Sequence, residues 1–189
     1  MSNEAAVAQQ PRTLSLGSAA GPLGYLVLGL TLIAFGLLGT GVLSGTGVSD
    51  ADTLALLVGG ITLFFAGLLE FRGGSAATGT AFLALGGFWA TWAEATPSGK
   101  NAAGLFLVLW ALLALSLTAV HWGGGTLLRG LYGLFTIALV LLAIAAFAGN
   151  DTLGKAGGWV AAVAGLLAWY GATSALADGT WGRLALPVR

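Results

Sequence analysis

The side chains that could do chemistry here are few, and where they fall matters more than how many there are. Glu70, Glu94 and His121 are the residues able to hold or move a proton near an apolar stretch, and each sits where such a stretch ends. No Asp, Glu, Lys, Arg or His occupies the middle of any apolar run. Ionisable groups inside a membrane usually mark proton relays and ion sites, so the sequence offers none at mid-depth. Glu70 and Glu94 read as interfacial residues in preference to a transport role, with Glu70 kept as a functional candidate. His121 reads as an interfacial imidazole in preference to a pH sensor. Ser116 and Thr118 have no base nearby in sequence, and hydroxyls on membrane helices usually bond back to their own backbone. There is no cysteine, which removes disulfides, thiolate metal sites and thiol nucleophiles, and one histidine cannot build a multi-histidine metal site. The glycine pairs carry no Gly-Lys-Ser/Thr ending and no βαβ context, so they do not form a phosphate loop. These observations describe a protein that is not an enzyme and uses no cofactor or metal.

What remains is a route lined by apolar side chains and backbone dipoles, which passes neutral or weakly hydrated solutes and resists ions by dewetting. Gly21-Pro22-Leu23-Gly24 opens the first helix, where free N–H groups and the positive end of the dipole could hold a carboxylate briefly. Pro22 suits that position because its missing N–H would be unpaired there anyway. The flanking glycines would let a ligand reach the backbone.

The elements that must position such a route follow from composition. Hydrophobic residues make up 57% of the 189 and charged residues 7%, where soluble domains carry about a quarter charged. Mean hydropathy is +0.93. A chain with so little charge must use lipid as its solvent. The sequence predicts an all-α membrane protein with spans at roughly 22–43, 53–71, 76–93, 102–121, 127–148 and 156–177, each near the twenty residues that cross about 30 Å of hydrocarbon. Six short-looped helices in one bundle leave no backbone unsatisfied in lipid. Residues 1–20 read as a flexible cytoplasmic tail, 21–180 as the transmembrane domain and 181–189 as a second short cytoplasmic tail. Arg12, Arg72, Arg129, Arg183 and Arg189 fall on one side and Lys100 and Lys155 on the other, so both termini are expected in the cytoplasm, with the protein multi-pass in the cell membrane. The scattered basic residues form no nucleic-acid patch. Trp89, Trp92 and Trp159 read as one aromatic belt, Trp122 and Trp181 as the other. Gly157, Ala161 and Gly165 give a small-residue stripe for close helix packing, inside a protomer or between protomers.

The run Phe65 to Phe71 (FAGLLEF), followed by Thr80-Ala81-Phe82 and Phe88-Trp89, resembles the acetate uptake transporter family, the small acetate/succinate permeases of bacteria and fungi. Ala148-Gly149-Asn150, Gly158-Trp159, Tyr170, Gly182-Arg183 and Leu186-Pro187 fall in the family's order and spacing. The resemblance implies a six-helix protomer in a homohexamer, each protomer with its own pore for acetate, related short monocarboxylates or succinate. Pro22, Leu23 and Gly24 match the end of the family's first-helix signature, Asn-Pro-Ala-Pro-Leu-Gly, while Ala19 and Ala20 stand where Asn and the first Pro are expected. At the family's pore constriction, a Phe, a Tyr and a Leu, this chain has Leu28, Leu85 and Phe135. Ala168 matches a small residue associated with substrate choice. Leu28, Leu85 and Phe135 lie six, nine and eight residues into spans that begin on the same side, which puts them within about 5 Å of one depth. They would form a narrow apolar ring, although ordinary bundle core has the same composition. The expected activity is thus passive or proton-linked passage of acetate and its relatives. A non-transporting oligomeric scaffold or sensor, and a channel for another small neutral solute, remain as alternatives.

Overall fold

The computed structural model describes residues 16–46, 48–95, 99–123 and 125–181, with no side-chain account at 48, 49, 93–95 and 181. The N-terminal fifteen residues and residues 182–189, which hold most of both expected tails, lie outside it, as do the side chains of Glu94 and Trp181. Every described element is helical. The rods are α1 (Gly21–Thr40), α2 (Asp52–Arg72), α3 (Ala76–Ala95), α4 (Lys100–Val120), α5 (Thr126–Ala148) and α6 (Asp151–Trp181). Of these, α1, α2, α4, α5 and α6 are long and apolar enough to cross a membrane, with mean hydropathies from 1.5 to 2.5. The chain is a membrane protein.

The expected edges lie within three residues of the observed ones except in α6, which starts at Asp151 instead of 156 and runs to Trp181 instead of 177. The reason is local. Gly149 ends α5 in the left-handed region at φ 62°, and the Asn150 side chain then accepts the Leu153 N–H at 3.1 Å. That cap, with Asp151 on the positive end of the dipole, starts a helix in a stretch whose polarity reads as loop.

α2 is not uniform. Residues Ala55–Thr62 form a π-helical segment that contains Gly59-Gly60 and is continued by the α-helical Leu63–Arg72. The Thr62 hydroxyl donates to the Leu57 carbonyl at 3.1 Å, five residues back, in keeping with the wider turn.

Packing follows the glycines. The backbones that run closest are those of α1 with α6, α2 with α3, and α5 with α4 and α6. A Cβ on Gly29 would lie 2.8 Å from the Gly165 carbonyl oxygen, and one on Gly36 2.5 Å from that of Gly158. The hairpin α2/α3 repeats the device: a Cβ on Gly67 would stand 3.0 Å from the Gly79 carbonyl oxygen, and one on Gly86 3.0 Å from that of Gly60. Each seam is a pair of glycines seven apart on antiparallel helices, which lets the backbones touch where no hydrophobic effect drives them together. The α6 stripe foreseen at Gly157, Ala161 and Gly165 packs inside the protomer, with Gly165 against Gly29 of α1, Gly157 against Leu142 and Ala138 of α5, and Ala161 fully buried. Leu105, Leu109, Leu112 and Leu115 of α4 face outward, as suits a helix whose solvent is lipid.

Candidate functional site

The up-and-down chain makes α1, α3 and α5 parallel, yet no two of them run close along the backbone. Side chains fill the space between them. Each helix presents a stripe with the same three-four-three spacing: Tyr25, Leu28, Leu32 and Phe35 on α1; Phe82, Leu85, Trp89 and Trp92 on α3; Tyr132, Phe135, Leu139 and Leu142 on α5. All but Trp92 and Leu142 are buried, and those two pack against the same cluster. Contacts at both ends fix the register. Near the start, the Tyr25 ring meets Phe82 edge-on at 4.9 Å, and its hydroxyl meets that of Tyr132 at 3.3 Å. Near the far end, Phe35 meets both Trp89 and Trp92 at 5.4 Å. The bundle axis is thus a stack of layers roughly 5 Å apart: Tyr25/Phe82/Tyr132, then Leu28/Leu85/Phe135, then Leu32/Trp89/Leu139.

The sequence-predicted site residues fall unevenly on this stack. Leu28, Leu85 and Phe135 share the second layer, at 1, 1 and 2% exposure, and Ala168 of α6 is buried in the same cluster. Pro22 and Leu23 sit on the first turn of α1, with Leu23 turned outward. The space beside Gly24 holds the Phe82 ring, and a Cβ on Gly21 would collide with the Leu16 carbonyl. The α1 start is also less open than expected: Gly21 N–H donates to the Ser18 carbonyl and Gly24 N–H to that of Ala20, both at 3.1 Å.

Those contacts belong to a strap, Leu16 to Ser18, that folds back over the α1 start. Gly17 turns it at φ 98°, a conformation open to glycine. Ser18 then donates its N–H to one Glu70 oxygen at 2.7 Å and its hydroxyl to the other at 2.8 Å. Glu70 is fully buried, which corrects its reading as an interfacial residue. Its partner lies 52 residues away in sequence, and nothing local signals it. The carboxylate and strap face Thr78, whose hydroxyl lies beside the would-be Cβ of Gly17 and also near the Tyr25 hydroxyl. An open cleft of about 530 Å³ between Ser18, Leu23, Leu69, Arg72 and Gly73 adjoins this corner. His121 is buried too, with Nδ1 2.8 Å from the Leu117 carbonyl and its ring 4.9 Å from that of Tyr132. The hydroxyls of Ser116 and Thr118 bond back to Leu112 and Ala114 carbonyls, as expected.

Trp89 is the other correction. It reads as an interfacial anchor but is fully buried, its indole lying over Gly59 in the π-helical segment. Trp159 and Trp122 are exposed, as belt residues should be. Sequence reasoning missed the tyrosine pair. The shared three-four-three spacing could have revealed it, once α1, α3 and α5 were taken as parallel.

The axis between α1, α3 and α5 is filled by side chains and not by backbone contacts. The profile of the GPR1/FUN34/yaaH family matches residues 4–188. The chain belongs to that family. It is 31% identical over 176 residues to the succinate-acetate/proton symporter SatP of Escherichia coli K12, covering 88% of this chain and 93% of that protein. It is 26% identical over 191 residues to acetate permease A of Emericella nidulans, covering 88% of this chain and 64% of that one. The solved structure of the bacterial acetate channel SatP superposes with a TM-score of 0.83 at 28% identity, over 90% of this chain and 98% of that one. These relatives are channels and transporters; the protein is not an enzyme.

Proposed function

We propose that this protein carries acetate and related short monocarboxylates, with succinate as an upper size, along the axis between α1, α3 and α5. The observation that carries the reading is that Leu28, Leu85 and Phe135, grouped as the pore constriction by resemblance, are all buried in one cluster. The 31% identity to a succinate-acetate symporter supports the same solute class. All six helices would cross the bilayer with both termini in the cytoplasm, since the arginines Arg72 and Arg129 mark one face and Lys100 and Lys155 the other. The protomers would assemble as a hexamer in the cell membrane, which native mass measurement in detergent would read.

Pro22, Leu23, Gly24 and Glu70 would form the cytoplasmic mouth, Leu28, Leu85 and Phe135 the constriction, and Ala168 a small wall residue that leaves width beside it. An apolar ring strips water from whatever crosses, and a charged carboxylate pays far more for that than a neutral acid. Passage of the neutral acid would itself deliver a proton, with no mid-membrane carboxylate needed. Labelled acetate uptake into vesicles should therefore rise as external pH falls towards the carboxyl range. Uptake that ignores pH, or no uptake at all, removes this reading. One relative favours a second solute: the chain is 28% identical to ammonia transport outward protein 2 of Saccharomyces cerevisiae, though over only 49% of that protein. Ammonia flux in the same vesicles, with acetate flux absent, would select that alternative.

A further inference from the structure

The corner where α1 starts and α2 ends has an outer face that no solute on the bundle axis would touch. Two charged residues close α2 there, and a separation of two residues, about 200° of helical turn, puts them on opposite sides. Glu70 is fully buried, and its carboxylate accepts both bonds from Ser18. Arg72 is exposed, and among the described residues it has no hydrogen-bond or ion-pair partner. It lines the open cleft of about 530 Å³ whose other walls are Ser18, Ala19, Ala20, Leu23, Leu69 and Gly73. Arg129, the other described arginine, differs: its guanidinium lies over the exposed Trp122 ring, 5.3 Å from the ring centroid.

The cleft straddles the edge of the apolar band. Leu23 on the first turn of α1 and Leu69 on the last turn of α2 are both about half exposed, and Phe65 continues that outward face one turn deeper. A cation therefore stands at the water end of an apolar groove. On the inner side the cleft is closed by a tight contact, since a Cβ on Gly73 would collide with the Ser18 side chain.

A free guanidinium above exposed leucines matches a molecule with a phosphate at one end and hydrocarbon at the other. The planar fork of N–H donors pairs with two phosphate oxygens at once. A zwitterionic headgroup carries its own cation beside the phosphate, so the charge at Arg72 favours an anionic lipid. We propose that the Arg72 cleft binds one anionic phospholipid, with its phosphate on the guanidinium and an acyl chain along Leu23 and Leu69. The inference does not depend on which solute crosses the bundle. A lipid held here braces the strap from outside, while Glu70 holds it from inside.

The test is a competition between lipids. Detergent-purified protein is given equal amounts of phosphatidylglycerol and phosphatidylcholine with the same chains, and the retained lipid is read by native mass spectrometry. Phosphatidylglycerol should be favoured about five-fold, the equivalent of about 1 kcal/mol for one arginine at an anionic surface. Arg72→Gln should abolish the preference, and Arg129→Gln should leave it at the wild-type value. Amide exchange on the wild-type protein gives a second reading that needs no variant: phosphatidylglycerol, and not phosphatidylcholine, should slow residues 18–20 and 72–74. No preference in the wild type, as when a neighbouring copy covers the cleft, overturns the proposal. A preference that survives Arg72→Gln, or falls equally in both variants, overturns it too, because the charge effect is then diffuse. Excess inorganic phosphate that displaces the lipid and gives the same protection would make this a soluble-phosphate site and overturn the lipid assignment.

Discussion

The two glycine seams and the middle of the bundle use opposite means of holding helices together. Along α1/α6 and α2/α3, paired glycines bring backbone against backbone. Between α1, α3 and α5 the backbones stand apart, and rings and leucines occupy the gap. A side chain can change rotamer while its helix stays in place, whereas a backbone contact yields only by moving a helix. The seams are therefore the fixed frame and the axis is the adjustable part. A transporter needs that division, because a route that opens must not loosen the walls.

The largest effect should come from filling a seam. In Gly165→Leu the new Cβ would lie 2.7 Å from the Gly29 carbonyl oxygen and 2.8 Å from the Ile33 nitrogen, with backbone on both counts. Overpacking usually costs about 1–3 kcal/mol, and a site walled by backbone should exceed that range. The expected result is loss of folded protein in detergent, read as yield and thermal midpoint. Gly133→Leu is the control, since its nearest neighbour is the Thr118 methyl at 3.8 Å. Equal losses at both positions would mean that α1/α6 is not a rigid seam.

A smaller and different effect is expected on the axis. Leu28→Ala empties part of the second layer without touching a backbone contact. Large-to-small changes in buried sites cost about 2–5 kcal/mol, and the low end applies where the unfolded reference still sits in lipid. The protein should stay folded while the route widens, so propionate and butyrate uptake should rise relative to acetate. An unchanged range of acids, with the same loss of stability, would make Leu28 ordinary core.

The contrast also explains what the sequence could and could not reveal. Helices, the hairpin order and the edges of all but α6 were legible because lipid imposes a length and an apolarity on its spans. The α6 stripe at Gly157, Ala161 and Gly165 was legible as a packing face for the same reason, although its partners were not: Gly165 meets Gly29 of α1, while Gly157 meets Leu142 and Ala138 of α5. The π-helical turn was hidden, because Ala55–Thr62 has the composition of any apolar helix. Trp89 was misread because a tryptophan near a span end looks the same whether it faces headgroups or a core. Glu70 was misread because its environment is made by a strap more than fifty residues earlier, and hydropathy carries no information across that distance.

That strap is the place for the finest test. Ser18 is held to Glu70 through two bonds, and Ser18→Ala removes only the hydroxyl one, leaving the N–H in place. A hydrogen bond to a buried acidic group contributes about 1.5–3 kcal/mol if charged and about 1 kcal/mol if neutral. The loss should be local, since neither glycine seam passes through Ser18. Amide exchange at residues 17–20 should accelerate by roughly five-fold or more, as the strap opens without the bundle. Exchange in α1 beyond Leu28 should not change. If protection fell along the whole of α1, the strap would be part of the frame, and the division between fixed seams and adjustable axis would not extend to the mouth.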